Sequence, residues 1–375
     1  MDMSAITPST MQLNRLKWET TTEYNTGLDA SFLKGKLRFT VDVYQKYIKD
    51  LLQKKVKMPT SIGYGNGYEV SYMNSGKMTN KGWEFRVDAV PFENRDWRVG
   101  FYFNIAHNEN KITEMPDNYT EENYTFNNGE YAYRREEGRP MGSFYGYRYK
   151  GVCQNKDATY ARDADGNVMK DISGNAIVMR NGTATIAPGD ALYEDINHDG
   201  VINQYDIVYL GNSNPRFTGG AGVNVSYKQF KLSAIFYGRY GQDVVNSTRL
   251  NNESMRGIDN QSTAVLRRWR NEGDQTDIPR ALYGEGYNTL GSDRFVEDAS
   301  YLRLKSLSFN YRLPKKIIQR WGFSNIDVYV TGYNLFTWTK YTGQDPEVKT
   351  ENTYARDSAT TPASIQLVAG FNLSF

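Results

Sequence analysis

Trp97-Arg98-Val99-Gly100-Phe101-Tyr102-Phe103-Asn104-Ile105 carries an apolar side chain at every odd position, set against Arg98, Tyr102 and Asn104 on the even ones. A period of two is the mark of a strand with two unlike faces. The same alternation appears in Leu37, Phe39, Val41 and Val43 against Arg38, Thr40 and Asp42, and in Phe230, Leu232, Ala234 and Phe236, where Ile235 breaks it. It closes the chain in Ile365, Leu367, Ala369, Phe371, Leu373 and Phe375 against Gln366, Asn372 and Ser374. These runs last roughly 10 residues or more, whereas strands of soluble proteins mostly have about 5–6. A tilted strand of that length crosses a bilayer. A large soluble β-sandwich with one wet face fits the strand length and the aromatic load poorly.

The connections alternate in length. Leu33–Lys36, Phe92–Arg95 and Tyr227–Gln229 read as tight turns, and Leu313–Lys316 opens a longer one with room for a helical turn. Long polar excursions lie near 50–80, 109–215, 241–299 and 338–363. Short turns on one side and long loops on the other suit a membrane barrel whose long loops are extracellular. Counting back from a last strand, 365–375, that descends into the periplasm gives strands at 326–337, 301–312, 230–240, 216–227, 96–107, 81–91, 36–48 and 18–32. For the parity to hold, 143–215 must be one extracellular excursion, and Phe144-Tyr145-Gly146-Tyr147-Arg148-Tyr149 belongs to a hairpin outside the membrane. About nine spanning strands result, an odd number, whereas single-chain bacterial barrels have even counts. The reading therefore expects strands encoded before Met1.

Bulk properties agree. The 375 residues include 45 Lys+Arg and 43 Asp+Glu, a formal charge of +2 that leaves no footprint for nucleic acid. Mean hydropathy is −0.68 and no long apolar run is present, which excludes a transmembrane helix but not a barrel. The 29 Tyr, 17 Phe and 6 Trp suit positions where one end of a ring is dry and the other wet. Cys153, the single cysteine, has no disulfide partner and no zinc-type or thiolate-activating pattern around it, and reads as inert. Met1-Asp2-Met3-Ser4-Ala5 has no basic or apolar region of an export signal, a second reason to expect sequence upstream.

Leu16-Lys17-Trp18-Glu19-Thr20-Thr21-Thr22 with Tyr24-Asn25 and Gly27 resembles the barrel of SusC/RagA-type TonB-dependent transporters of Bacteroidetes. So do Asp42-Val43-Tyr44 with Lys49-Asp50-Leu51-Leu52, Asn80-Lys81-Gly82-Trp83-Glu84, Gly138-Arg139-Pro140, Pro188-Gly189-Asp190, Gly211-Asn212-Ser213-Asn214-Pro215 and Tyr301-Leu302-Arg303-Leu304-Lys305. The pieces occur in order over nearly the whole chain. The resemblance implies an all-β fold, a partial transmembrane antiparallel β-barrel holding about nine C-terminal strands of a barrel of about 22. It further implies an outer-membrane importer of glycans or oligopeptides, a SusD-like lipoprotein as cap, and energy from the TonB complex. Residues 1–375 would be barrel throughout, with plug domain and TonB box absent, so transport by this chain alone is not expected. The aromatic Phe375 would end the strand that signals insertion. A secreted, calcium-stabilised β-protein binding glycan or a partner surface is the alternative.

The sharpest local motif is Asp195-Ile196-Asn197-His198-Asp199-Gly200-Val201-Ile202-Asn203-Gln204-Tyr205-Asp206. It matches an EF-type calcium loop at positions one, three, five and six, with apolar Ile202 at eight. Ca2+ would take side-chain oxygens of Asp195, Asn197, Asp199 and Asp206 and the Val201 carbonyl, with Asn203 acting through water. His198 reads as solvent-exposed. An Asx-rich turn without an ion is the plainer reading. Asp163-Ala164-Asp165-Gly166-Asn167 has its glycine too early and reads as a turn. His107 and His198 lack a catalytic partner pattern, and no carboxylate pair stands out as a glycosidase dyad, so no enzyme is expected. Trp83, Trp97 and Trp338 suit an interfacial girdle, while Tyr145, Tyr147 and Tyr287 are candidates for stacking on sugar rings or for loop packing. Which residues hold the substrate is unknown from sequence.

Overall fold

The computed structural model describes residues 16–57, 69–74, 76–115, 129–132, 135–284, 287–348, 350–351 and 354–375. The Met1–Ala5 segment, read above for an export signal, lies outside them. Nine strands form one antiparallel meander in sequence order: β1 (Thr20–Phe32), β2 (Leu37–Lys49), β3 (Lys77–Glu93), β4 (Trp97–Glu114), β5 (Phe217–Tyr227), β6 (Phe230–Tyr240), β7 (Tyr301–Arg312), β8 (Asn325–Thr339) and β9 (Gln366–Ser374). Each pairs only with its neighbours in this order, and β1 and β9 are free edges, so the sheet stays open.

The nine expected strands are all present. β3 and β4 run further toward the loops than the alternation indicated, pairing Lys77 with Glu114 and Lys81 with Glu109. Asn80, Lys81, Asn108, Glu109 and Lys111 put polar groups on both faces there, so period two fades although the ladder continues. The turn after Leu313 holds a short helix, Lys315–Ile318.

Register makes one face of the sheet apolar from edge to edge. A single row runs Phe32, Leu37, Ala89, Phe101, Val223, Ala234, Leu307, Gly332 and Leu367. These side chains have no second layer over them, and Leu367 is 75% exposed. Rings collect at both ends of the apolar face. At the turn end Trp97 meets Tyr227 at 4.3 Å and Phe230 meets Tyr311 at 4.7 Å. At the loop end Phe217 contacts His107, Trp83 and Tyr240 at 5.3, 6.1 and 6.4 Å. The 11 residues of β5 that join the two rows rise roughly 33 Å along the strand. A tilt of about 40° reduces that to about 25 Å, the height of a lipid-facing band.

All four clusters of buried apolar residues lie in the long connections, outside the nine strands. The largest gathers Tyr145, Tyr147, Ile186, Tyr193, Ile202 and Leu290. Segment Ser143–Gly146 pairs antiparallel with Val208–Asn212, as expected for a hairpin inside the 143–215 excursion. Asp243–Asn246 pairs with Val296–Asp298 and, in parallel, with Tyr354–Asp357. Three excursions thus fold together as one cap over the loop end.

Candidate functional site

The inner wall is the polar face of the sheet. Arg86 forms a two-pronged bond to Asp88, two residues along the same strand, at 2.7 and 2.8 Å. Thr40 donates to Asp29 at 2.6 Å, and Asn110 to Asn80 at 2.7 Å. Asp42 and Glu84 face each other in register. Like charges directly opposite are unfavourable, so this pair gives the wall an electronegative belt; with Glu23, Lys46 and Asn108 it lines a cavity of about 390 Å³. Nearer the turns, Arg38, Arg86, Arg98 and Lys231 line a cavity of about 690 Å³ together with Asp88. Charge along the wall therefore changes sign with height.

Three tyrosines of this wall lie across a glycine on the adjoining strand. A Cβ at Gly82 would come within 2.6 Å of Tyr44, at Gly222 within 2.1 Å of Tyr102, and at Gly370 within 2.6 Å of Tyr329. The missing side chain lets each ring lie flat and cover the exposed backbone. Tyr44 then donates its hydroxyl to Asn108 at 3.1 Å.

Arg303 joins wall to cap. Its side chain is 3% exposed, it donates to Thr337 at 2.8 Å, and it reaches out of β7 to Glu347 at 2.8 Å and to Asp345. Lys305 adds a second cation on Glu347 at 2.8 Å. Burial works against the Asp345 carboxylate, yet the N–H groups of Ala363 and Glu347 and the Arg303 guanidinium hold it below the usual range. Within the cap, Arg280 grips Asp190 at 2.8 and 3.2 Å, and Arg294 meets Glu253 at 2.8 Å with both side chains nearly buried. None of these ion pairs has a local sequence signal, because the partners come from separate excursions or opposite ends of one.

Residues Asp195, Asn197, Asp199, Val201 and Asp206 stand on one compact loop. Gly200, at φ 82°, donates its N–H to Asp195 Oδ2 at 2.8 Å, and Val201 N–H donates to Asp199 Oδ1 at 2.8 Å. Asn197 Oδ1 accepts from Asp199 N–H at 3.2 Å, while Ile202 is buried beneath the loop. Asp206 is fully buried and braces the loop, accepting from Ile196 N–H and Asn203 N–H at 2.8 Å each. Burial pushes its carboxyl above the usual range, against those two N–H groups. The donor set is the hard-oxygen set Ca2+ takes, but here its oxygens serve the loop's own N–H groups. Among the described residues, no three or more His, Cys, Asp or Glu are gathered as a metal site. His198 is exposed, as expected.

Asp163 closes a plain turn, accepting from Asn167 N–H at 2.8 Å. Tyr145 and Tyr147 are 0% and 1% exposed, so they pack the cap and do not present a face to sugar, and Tyr287 packs against the same cluster. Cys153 is buried, and burial pushes its thiol up to about 11. The reactive thiolate is thereby disfavoured.

A model of the family described as TonB dependent receptor-like, beta-barrel matches residues 3–335. TonB-dependent receptor P3 of Formosa agariphila is 32% identical over 90% of this chain and 32% of its own length. TonB-dependent receptor SusC of Bacteroides thetaiotaomicron is 27% identical over 96% of this chain and 32% of its own. A solved structure of the RagAB peptide transporter is 27% identical with a TM-score of 0.69, covering 96% of this chain and 36% of that one. The chain thus spans about a third of the length of the relatives it matches. With its outward apolar band, polar inner wall and folded loop cap, the chain belongs to the TonB-dependent receptor β-barrel family.

Proposed function

We propose that this chain builds part of the wall and the extracellular cap of an outer-membrane nutrient importer for glycan fragments or oligopeptides. One observation carries the reading: an apolar face about one bilayer high, girdled by rings at both ends, backs onto a charged wall that a folded cap covers. The names SusC and RagAB peptide transporter, borne by similar proteins, support the cargo class. A SusD-like lipoprotein would meet the cap from outside, and the TonB complex would supply energy, as the resemblance implies. The role is carriage and not catalysis. The open edges at β1 and β9 would leave backbone groups unpaired in lipid, at several kcal/mol each, so further strands close the barrel and this chain does not transport by itself.

Deleting the gene tests this. Loss of growth on oligopeptides or polysaccharide, with normal growth on amino acids and monosaccharides, supports an importer. Unchanged growth on all of them sinks it. Recovery of the protein compact and soluble in plain buffer would instead favour the secreted binder.

A second reading concerns the Asp195–Asp206 loop. We propose that Ca2+ takes the oxygens of Asp195, Asn197, Asp199, Asp206 and the Val201 carbonyl, releasing the loop's N–H groups to water. The complete spacing and the φ of Gly200 support it. Its test is given in the Discussion.

A further inference from the structure

We propose that the outward face carries a lipid site: a groove at its loop end that takes one acyl chain of a phosphorylated lipid, with Lys340 at the head group. This rests on the membrane reading above and goes beyond it. Ile105, Gly219, Gly238, Leu302 and Trp338 form one row across five strands, so two glycines stand side by side in the middle of an apolar surface. They floor a cavity of about 660 Å³ whose walls include Phe217, Tyr240, Leu302 and Trp338. Ligand pockets commonly have such volumes. The gap is set by the backbone: a Cβ would come within 2.4 Å of the Asn104 carbonyl oxygen at Gly219, and within 2.7 Å of that of Tyr301 at Gly238. No side chain of this chain can replace the missing ones without shifting the strands.

The occupant follows from the place. An apolar groove continuous with the lipid-facing band holds no water, and the only filler there is an acyl chain. Lys340, exposed at the upper end of the groove, has no ion-pair partner among the described residues. Asp298 on the same rim is already engaged by the N–H of Ser300 at 2.9 Å and by its hydroxyl. One uncommitted cation beside an aromatic rim suits a phosphate head.

The full protein, extracted from outer membranes, is exchanged into detergent doped with phosphatidylglycerol or phosphatidylcholine and weighed by native mass spectrometry. One phosphatidylglycerol is expected to survive delipidation. Ala221→Leu pushes a side chain into the groove and should abolish the adduct. Lys340→Gln should weaken phosphatidylglycerol retention about fivefold and leave phosphatidylcholine unchanged. Heat-modifiable gel migration confirms that both variants fold. Retention unaffected by Ala221→Leu, or equal for both lipids, overturns the proposal. Protein that needs detergent yet holds no lipid defeats the site alone, whereas protein that needs no detergent defeats the membrane reading.

Discussion

Glu253 accepts from Arg249 at 3.0 Å and from Arg294 at 2.8 Å, in a part of the cap where Arg294 and Glu253 are 4% and 6% exposed. Removing one member leaves the others charged and buried, a loss of about 3–5 kcal/mol. Glu253→Ala should therefore speed proteolysis within 241–299 while leaving the membrane strands protected, and thermolysin cleavage mapping reads this directly. Asp206 works the other way. Its carboxyl titrates above the ordinary range, so the folded loop favours the proton, and stability falls as pH rises through the folded value. At neutral pH the ionised group is a cost that a bound cation would offset. Ca2+ should thus protect residues 190–212 from protease at neutral pH, lose that effect in acid, and fail to protect Asp199→Ala. Equal cleavage with and without chelator at neutral pH would remove the ion from the account.

Strands of this wall are tied by cross-strand pairs that a period-two pattern cannot display. Gly222 lies under Tyr102, and a Cβ there would sit 2.1 Å from the ring. Gly222→Ala should cost about 1–3 kcal/mol through overpacking, and adding Tyr102→Ala should return much of it. Urea unfolding of the two single variants and the double one, in lipid vesicles, measures this coupling. Alternation at Leu37–Val43, Trp97–Ile105 and Ile365–Phe375 was enough to find the strands, because a face in contact with lipid leaves no choice of residue. It lost the outer ends of β3 and β4, where both faces are polar. The cap was legible only as an excursion: its pairings, 145 with 209, 245 with 356 and 190 with 280, join distant segments that carry no periodic signal. The tyrosines at 145 and 147 looked available to sugar because sequence records ring chemistry and not burial. Arg303 read as one more inward polar residue; its carboxylate partners lie beyond the next strand.

At the scale of the molecule, the decisive physical claim is which solvent each face of the sheet meets. A lipid-facing band makes the cost of a charge depend on depth, a dependence that neither a soluble sandwich nor a packed core would show. Val223 stands mid-way along β5, paired with Phe101 and Ala234 on the apolar face, while Phe217 stands in the upper ring row. Asn224, the next residue, faces the inner wall and accepts from Ser233 at 2.8 Å. Val223→Arg should cost about 2–4 kcal/mol, Phe217→Arg about 0–1 kcal/mol, and Asn224→Arg little beyond the lost hydrogen bond. Folding of the full protein into vesicles, followed by denaturant titration, gives the three values. If the apolar face instead met another protein layer, Phe217→Arg would be as damaging as Val223→Arg, because a packed interface penalises a buried cation at any height. A flat response across the two outward positions would therefore reject the barrel wall, even with the strands and their register intact.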